Sequence, residues 1–487
     1  MTPKNITLRA YQQRDVQELR RRYARGFRAP LYALATGGGK TFIFSYITQQ
    51  AAAKGNRVLI LVHRQELLRQ SSESLDLLGV DHGLIAPKHS QTYDLVQVAS
   101  VQTAVRRLDR IPKPSLIVVD EAHHAAAGSW RKIIDHFKDV PILGVTATPY
   151  RLDGKGLGVD SGGHFDCLVQ GPSIRDLIKD GYLSRPRVYA PPTDLVLDDV
   201  RTRMGDYARD DLAAAVDKPK ITGSAVEHYS RMCPGKPAIA FCVSVAHAEH
   251  VAAEFRAAGY RAESIDGSMD DDRRKGLITS LGSGKIDVLC SCEIISEGTD
   301  IPVVSAAILL RPTQSLTLYL QQVGRALRPY DGKKHAIILD HVGNCLRHGL
   351  PQDDREWSLD GDPGKGKSGK RAEPVARVQQ CPRCYVVHPP APRCNQCGHV
   401  YAPDEIMPEQ VDGELREIDP AEIARMKADR RRKQGQAQTL AELQEYGKQM
   451  GYKPGWAKHV WENRQKRGHR RSAGQYGGQH SGRVFLS

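Results

Sequence analysis

Short aliphatic runs recur through the first 345 residues, each followed by a stretch with helical spacing. RVLILVH (57–63), SLIVVD (115–120) and PILGVTA (141–147) form one series. PAIAFCV (237–243), IDVLCSC (286–292), VSAAILL (304–310) and HAIILD (335–340) form a second. Each run is almost continuously apolar rather than alternating. That is the pattern of strands covered on both faces, and hence of parallel sheets flanked by helices. Two series predict two α/β domains, with a boundary near 185–215, where SRPRVYAPPTDL breaks the pattern.

Beyond about residue 350 the pattern changes. DGDPGKGKSGK (360–370) has the composition of a flexible linker. A Cys-rich module follows, then an acidic segment, 404–422, with eight carboxylates and one Arg. The expected organisation is therefore 1–190 and 191–350 for the two domains, 351–376 for the linker, 377–402 for the Cys module and 403–487 for the tail. In the tail, Leu440, Leu443 and Gly447, and again Trp456 and Val460, step at helical spacing either side of Gly451–Pro454. A small helical hairpin is predicted there, with its own apolar core, before a disordered end.

Charge sharpens this division. The net charge is +14 over 487 residues, yet residues 425–487 alone carry 15 Lys/Arg against 4 Asp/Glu, a net of +11. The first 424 residues therefore hold only +3 of the total. A basic tail favours a polyanion by counterion release, although a solvated tail has the same composition. No run approaches the roughly 18 apolar residues of a membrane span, and the N-terminus lacks an apolar signal core. A soluble, cytoplasmic protein with no membrane partner is expected.

The candidate chemistry starts at ATGGGKT (35–41). Adjacent glycines leave main-chain N–H groups free to surround anionic oxygens at a helix N-terminus, and a Lys and a hydroxyl follow. Thr36, Gly37, Gly38, Gly39, Lys40 and Thr41 would then cradle a triphosphate, with Lys40 on the β/γ-phosphates and Thr41 on Mg²⁺. The strict pattern asks for a Gly five residues before Gly39, where this chain has Leu34. Alone, the segment is also compatible with a tight strand-to-helix turn. A phosphate loop needs a metal-binding acid on a nearby strand, and SLIVVDEAH supplies Asp120 where an apolar strand ends. Asp120 is the candidate Mg²⁺ ligand and Glu121 the group that polarises the attacking water.

Asp120-Glu121-Ala122-His123 resembles the box of the DEAH branch of superfamily-2 helicases and translocases. Further segments resemble that family's motifs in its order. Leu8-Arg9-Ala10-Tyr11-Gln12 resembles the adenine-reading segment, which makes Gln12 a base contact. HRQEL (63–67) and SVQT (100–103) resemble segments lining the nucleic-acid track, which implies His63, Arg64, Gln102 and Thr103. TATP (146–149) resembles the motif that links nucleotide state to domain closure. SEGTDIP (296–302) resembles the segment touching nucleotide and strand, which implies Gly298 and Asp300 for the nucleotide and Thr299 for the strand. Gln321-x-x-Gly324-Arg325-x-x-Arg328 resembles the arginine-finger motif; placed on one helix, Gln321, Arg325 and Arg328 would share a face.

The resemblance covers roughly residues 5–345 and implies two tandem RecA-like domains. Lys40, Glu121, Gln321, Arg325 and Arg328 would be catalytic, with ATP and Mg²⁺ as cofactors. Arginines on the second domain would reach the γ-phosphate only on closure, so hydrolysis would be gated by domain movement. The implied activity is an ATP-dependent DNA helicase or duplex translocase on single-stranded, forked or duplex DNA. An RNA-stimulated ATPase and an ATP-gated DNA clamp are the alternatives. The TATPYRLDGKGLG stretch and the tail look similar to phage and bacterial stand-alone helicases, hence a bacterial or phage-infected cell.

Ten cysteines are present. Six are scattered in apolar runs and read as reduced core thiols. Cys381, Cys384, Cys394 and Cys397 form two CxxC pairs nine residues apart, the pattern of a closed tetrahedral Zn²⁺ site in a compact ribbon, with a disulfide pair as the rival reading that an intracellular setting disfavours. His388 and His399 are read as bystanders. Arg377, Arg383 and Arg393 surround the module, which suggests contact with DNA or a protein partner; a purely structural staple is the other reading.

Overall fold

The structure is a computed structural model. It describes residues 7–125, 128–151, 154–191, 200–203, 206–208, 211–212, 216, 219–292, 301–361, 378–401, 432, 436–437, 439–449, 455, 457–458 and 460–461. The first lobe holds seven strands: β1 (Pro30–Ala33), β2 (Val58–Val62), β3 (His82–Ile85), β4 (Val96–Ser100), β5 (Leu116–Asp120), β6 (Ile142–Thr146) and β7 (Cys167–Gln170). They line up in the order β3-β4-β2-β5-β6-β1-β7, and every pairing is parallel. All five residues of β2, β4 and β6 are buried. This is why their sequences are continuous apolar runs, since helices cover both faces. Parallel order also gathers the C-terminal ends of β1, β2, β5 and β6 on one edge, where ligands of open α/β sheets bind.

The second lobe contains β8 (Pro186–Tyr189), a two-residue hairpin of β9 (Thr202–Arg203) and β10 (Asp206–Tyr207), and then β11 (Ala238–Phe241), β12 (Ala262–Ile265), β13 (Val288–Ser291), β14 (Ala306–Leu309) and β15 (Ala336–Asp340). Its sheet runs β12-β13-β11-β14-β15-β8-β17-β16, where β16 is Gln379–Gln380 and β17 is Val386–His388. The seven aliphatic runs of the sequence are all strands, and the sheets are parallel throughout their cores.

Three features differ from the expected organisation. β8 pairs parallel with β15, so the second sheet begins at Pro186 rather than after 190. The Cys module is not a separate bead: β17 pairs antiparallel with β8 and extends the second sheet. Finally, residues 351–361 of the expected linker form an ordered strap that returns to the first lobe. Tyr150 Oη donates to Glu356 O at 2.8 Å and its ring packs on Trp357. Gly158 N donates to Leu359 O at 2.9 Å, and Arg175 pairs with Asp354 at 2.8 Å. An aromatic anchor and main-chain pairing overcome the polar composition there; residues 362–377 lie outside the described residues.

The chain divides into two compact units, 1–403 and 404–487. In the second, the helix Leu440–Gln449 buries Leu443 in a small cluster with Ala437 and Ala457, against Leu440, Val460 and Trp461. Trp456 and the expected break at Gly451–Pro454 lie outside the described residues, as does the acidic segment. Among the described residues no helix is long and apolar enough to cross a membrane.

Candidate active site

The loop after β1 turns directly into the helix Lys40–Ala52. Gly37 and Gly39 have φ of 86° and 85°, a left-handed backbone that a side chain strongly disfavours, so the turn depends on glycine. Leu34 extends β1, its N–H bonding Thr146 O at 3.0 Å. Its side chain fills the space over Gly38, where a Cβ would come within 2.7 Å of Leu34 Cγ. The missing first glycine is thus offset by packing. Tyr11 Oη donates to Gly38 O at 2.6 Å, tying the N-terminal helix to the loop.

Gln12 is buried; its Oε1 accepts Arg9 N at 2.9 Å, and its Nε2 lies 2.8 Å from where a Cβ on Gly39 would stand. Beside it, the Arg9 guanidinium lies 4.4 Å over the Tyr182 ring. Tyr182 carried no motif signal in the sequence, yet it stands next to the adenine-reading candidate.

Asp120 ends β5 and Glu121 follows it, both buried. Asp120 Oδ1 accepts Glu121 N at 2.9 Å. Glu121 has φ 48° and ψ 56°, a left-handed conformation that costs a non-glycine residue roughly 1–3 kcal/mol and clusters at functional sites. Lys40 Nζ lies 3.3 Å from Leu34 O. Burial lowers its pKa; the Glu121 and Asp120 carboxylates oppose that shift, and Arg325 and Arg328 add to it. Thr41 follows Lys40 on the first helical turn, half-buried.

The lobes meet here. A Cβ on Gly324 would come within 2.6 Å of Thr36 Cβ, so only glycine lets the finger helix, Leu316–Ala326, approach the phosphate loop this closely. Gln321 and Arg325 lie on that helix and are buried. Arg328 does not share their helical face, because the helix ends at Ala326; it reaches the loop from the following turn, its Cγ 3.6 Å from a Cβ position on Gly37. Gly298, Thr299 and Asp300 lie outside the described residues.

The track candidates sit on the same edge of the first sheet. His63 follows β2, and Arg64 is the N-cap of the helix Gln65–Leu77. Gln102 is exposed and donates to His63 O at 3.3 Å. Thr103 is buried, so its side chain is not open to a strand as Gln102 is. From the second lobe, Arg274 pairs with Glu66 at 3.2 Å, next to this track.

The four cysteine sulfurs of the ribbon all lie within 4.8 Å of one another. Cys381–Cys397 and Cys384–Cys394 are 3.6 Å and 3.7 Å apart. A tetrahedron with Zn–S bonds of about 2.3 Å has S···S edges of roughly 3.8 Å, so the donor set fits zinc. His388 engages Pro389 O and Tyr401 Oη instead, at 2.7 and 2.8 Å. Arg383 and Arg393 are exposed; Arg377 lies outside the described residues.

A phosphate loop, a strand-end acid pair and arginines presented by a second parallel-sheet lobe define a two-lobed P-loop ATPase. Comparisons with known proteins agree with this geometry. Residues 5–151 match the family of type III restriction enzyme res subunits, and residues 224–330 match the helicase conserved C-terminal domain. A 51.5 kDa protein of Lactococcus phage (isolate 7-9) is 36% identical, over 76% of this chain and 77% of its own. A Saccharomyces cerevisiae protein described as the ATP-dependent helicase IRC3 is 32% identical over 69% of this chain, which spans 51% of that protein. Among solved structures, a fragment described as an HsdR subunit of a type I restriction enzyme from Vibrio vulnificus shares the fold, with a TM-score of 0.57 at 22% identity, over 74% of this chain and 71% of that one. The chain belongs to the superfamily-2 helicases, and it is a nucleic-acid-dependent ATPase.

Proposed function

We propose that the chain is a DNA motor of the DEAH branch, a helicase or duplex translocase that converts ATP hydrolysis into movement of its two lobes along DNA. The observation that carries this reading is the close approach of the finger helix to the phosphate loop, with Gly324 against Thr36 and Arg328 Cγ beside Gly37. Charge neutralisation and positioning, rather than covalent chemistry, govern phosphoryl transfer. Thr36 to Gly39 would hold the phosphates by main-chain N–H groups, and Lys40 would sit on the β/γ-phosphates. Gln12 would read the adenine. Thr41 and Asp120 would hold Mg²⁺, which would supply charge neutralisation to the triphosphate. Glu121 would orient the attacking water, and Gln321, Arg325 and Arg328 would stabilise the charge that develops.

His63, Arg64 and Gln102 would line the strand on the first lobe. DNA is favoured over RNA by the match to a restriction-enzyme subunit family, although the phage and yeast relatives leave the nucleic acid unnamed. The ribbon would hold one Zn²⁺ through its four cysteines, and Arg383 and Arg393 would offer it a polyanion contact. Steady-state ATP hydrolysis on no nucleic acid, single-stranded DNA, duplex, fork and RNA tests the reading, with Arg325→Ala as control. DNA stimulation lost in the control is expected. Equal stimulation by RNA would overturn the choice of DNA, and stimulation retained in Arg325→Ala would overturn the finger assignment.

A further inference from the structure

Three imidazoles bridge the candidate strand track and the candidate hydrolytic carboxylate. His123 is buried at the end of β5, with Nδ1 3.3 Å from Glu121 Oε2 and 3.2 Å from Thr146 Oγ1. The His124 ring packs on His123 with centroids 4.2 Å apart and rings tilted 42°. His124 also packs on His63, at 4.3 Å and 55°. His63 in turn is engaged by Arg64 Nε at 3.3 Å, and its carbonyl by Gln102 Nε2 at 3.3 Å. His124 therefore stands between the two sites while belonging to neither set of residues assigned above.

We infer that His124 is a positioning residue that couples strand occupancy at His63 to the orientation of Glu121. The inference rests on the proposed function, since it needs a strand on that track. Rings at 4.2–4.3 Å are in van der Waals contact, and packed interiors shift between discrete arrangements rather than deform smoothly. A strand that moves Arg64 shifts the His63 ring it bonds, and that ring packs on His124, which packs on His123. At the far end Glu121 is held in a left-handed backbone conformation by its surroundings, and His123 Nδ1, 3.3 Å from its Oε2, is one of the groups that set the carboxylate's position. The His63–His124 and His124–His123 contacts are ring against ring, and the coupling inferred through them is mechanical.

The test uses the full chain with His124→Ala, His124→Gln and His124→Phe. Three quantities are read at fixed salt: hydrolysis without nucleic acid, hydrolysis with saturating DNA, and the Kd for DNA by fluorescence anisotropy. His124→Ala is expected to keep the first and third within about twofold of wild type and to lose about tenfold of the DNA stimulation, a typical coupling between sites. His124→Gln, close in volume but without a ring, is expected to match it and carries the test if the Ala variant does not fold. His124→Phe, which keeps a flat ring, is expected to recover most of the stimulation. Stimulation preserved in both His124→Ala and His124→Gln would overturn the inference alone. Stimulation and DNA affinity falling together would make His124 a strand contact and overturn it too. A wild-type chain that no nucleic acid stimulates would overturn the proposed function, and this inference with it.

Discussion

The Oγ1 of Thr148 lies 2.7 Å from the Oγ1 of Thr317. Both side chains are buried, and they belong to different lobes. Thr146 Oγ1 donates to Thr148 O at 2.8 Å and sits 3.2 Å from His123 Nδ1. A chain of contacts thus runs from Thr317 of the second lobe through Thr148 and Thr146 to His123, whose Nδ1 lies 3.3 Å from Glu121 Oε2. Thr317→Val keeps the volume and removes the hydroxyl. Hydrolysis at saturating nucleic acid should fall about fivefold to tenfold, the scale of one net hydrogen bond of about 1 kcal/mol. Basal hydrolysis and Tm should change little; parallel ATPase and melting measurements decide this.

Arg325→Ala and Arg328→Ala should each lower stimulated hydrolysis by a factor on the order of 10³ if both stabilise the transferring phosphoryl group. ATP affinity should fall far less, because the fingers act on charge that develops during the reaction. Single-turnover rates and nucleotide Kd values separate the two effects. A variant whose loss is all in Kd is a ground-state contact.

Lys333 closes the end of the finger helix. Its ammonium donates to Arg328 O at 2.6 Å and Val304 O at 2.5 Å. Burial, reinforced by Arg328, pulls its pKa down to about 7. Charged donors make the stronger hydrogen bonds, so finger placement should weaken as pH rises through about 7. The stability effect has the opposite sign. The unfolded chain binds this proton up to the ordinary lysine range and the folded chain releases it near pH 7. The burial cost is therefore full below pH 7 and is relieved as pH rises toward about 10.4. Lys333→Met should flatten both the stability slope above pH 7 and the activity profile near it. Denaturant titrations and ATPase assays at pH 6, 8 and 10 measure the two.

Because β17 is paired to β8, the ribbon should not unfold alone. Cys381 and Cys394 also pack into the apolar cluster that holds Tyr229, Phe255 and Leu339 of the second lobe. Metal analysis should find one zinc per chain. Chelation or Cys394→Ser should lower the melting temperature of the second lobe as a unit, by an amount large on the scale of typical folding stability. Loss of ribbon protection alone in hydrogen exchange, with β8 and β15 unchanged, would contradict that coupling.

The Glu66–Arg274 pair crosses the lobes beside the track, with both side chains mostly buried. Glu66→Arg and Arg274→Glu should each weaken closure, and the double swap should restore part of the loss. A double-mutant cycle on the stimulated rate measures the coupling, expected at about 1–2 kcal/mol for a partly buried pair.

Much of the site was legible because its chemistry is local. Gly37 to Thr41 must be contiguous to wrap a phosphate, and Asp120 and Glu121 must end an apolar strand. The ribbon needs two tight CxxC turns. Each is written within 17 neighbouring residues, the ribbon's Cys381–Cys397 being the longest. Arg328 shows where local reading stops: spacing alone placed it on a helical face, whereas the helix ends two residues earlier. Its aim depends on Lys333 and on Ser184, whose N–H bonds Leu327 O at 2.6 Å.

The amino-acid sequence by itself determined seven of the buried strands, the parallel sheets, the phosphate loop, the acid pair and the cysteine quartet. Apolar periodicity, glycine conformation and ligand spacing act over a few residues and do not depend on how distant segments meet. Only the tertiary structure decided that Thr317 faces Thr148, that His124 lies between His63 and His123, that the strap returns to Tyr150, and that the ribbon extends the second sheet. Those relations join residues from about 60 to more than 200 positions apart. They follow from which surfaces remain uncovered once each lobe has folded, which no short stretch of chain encodes.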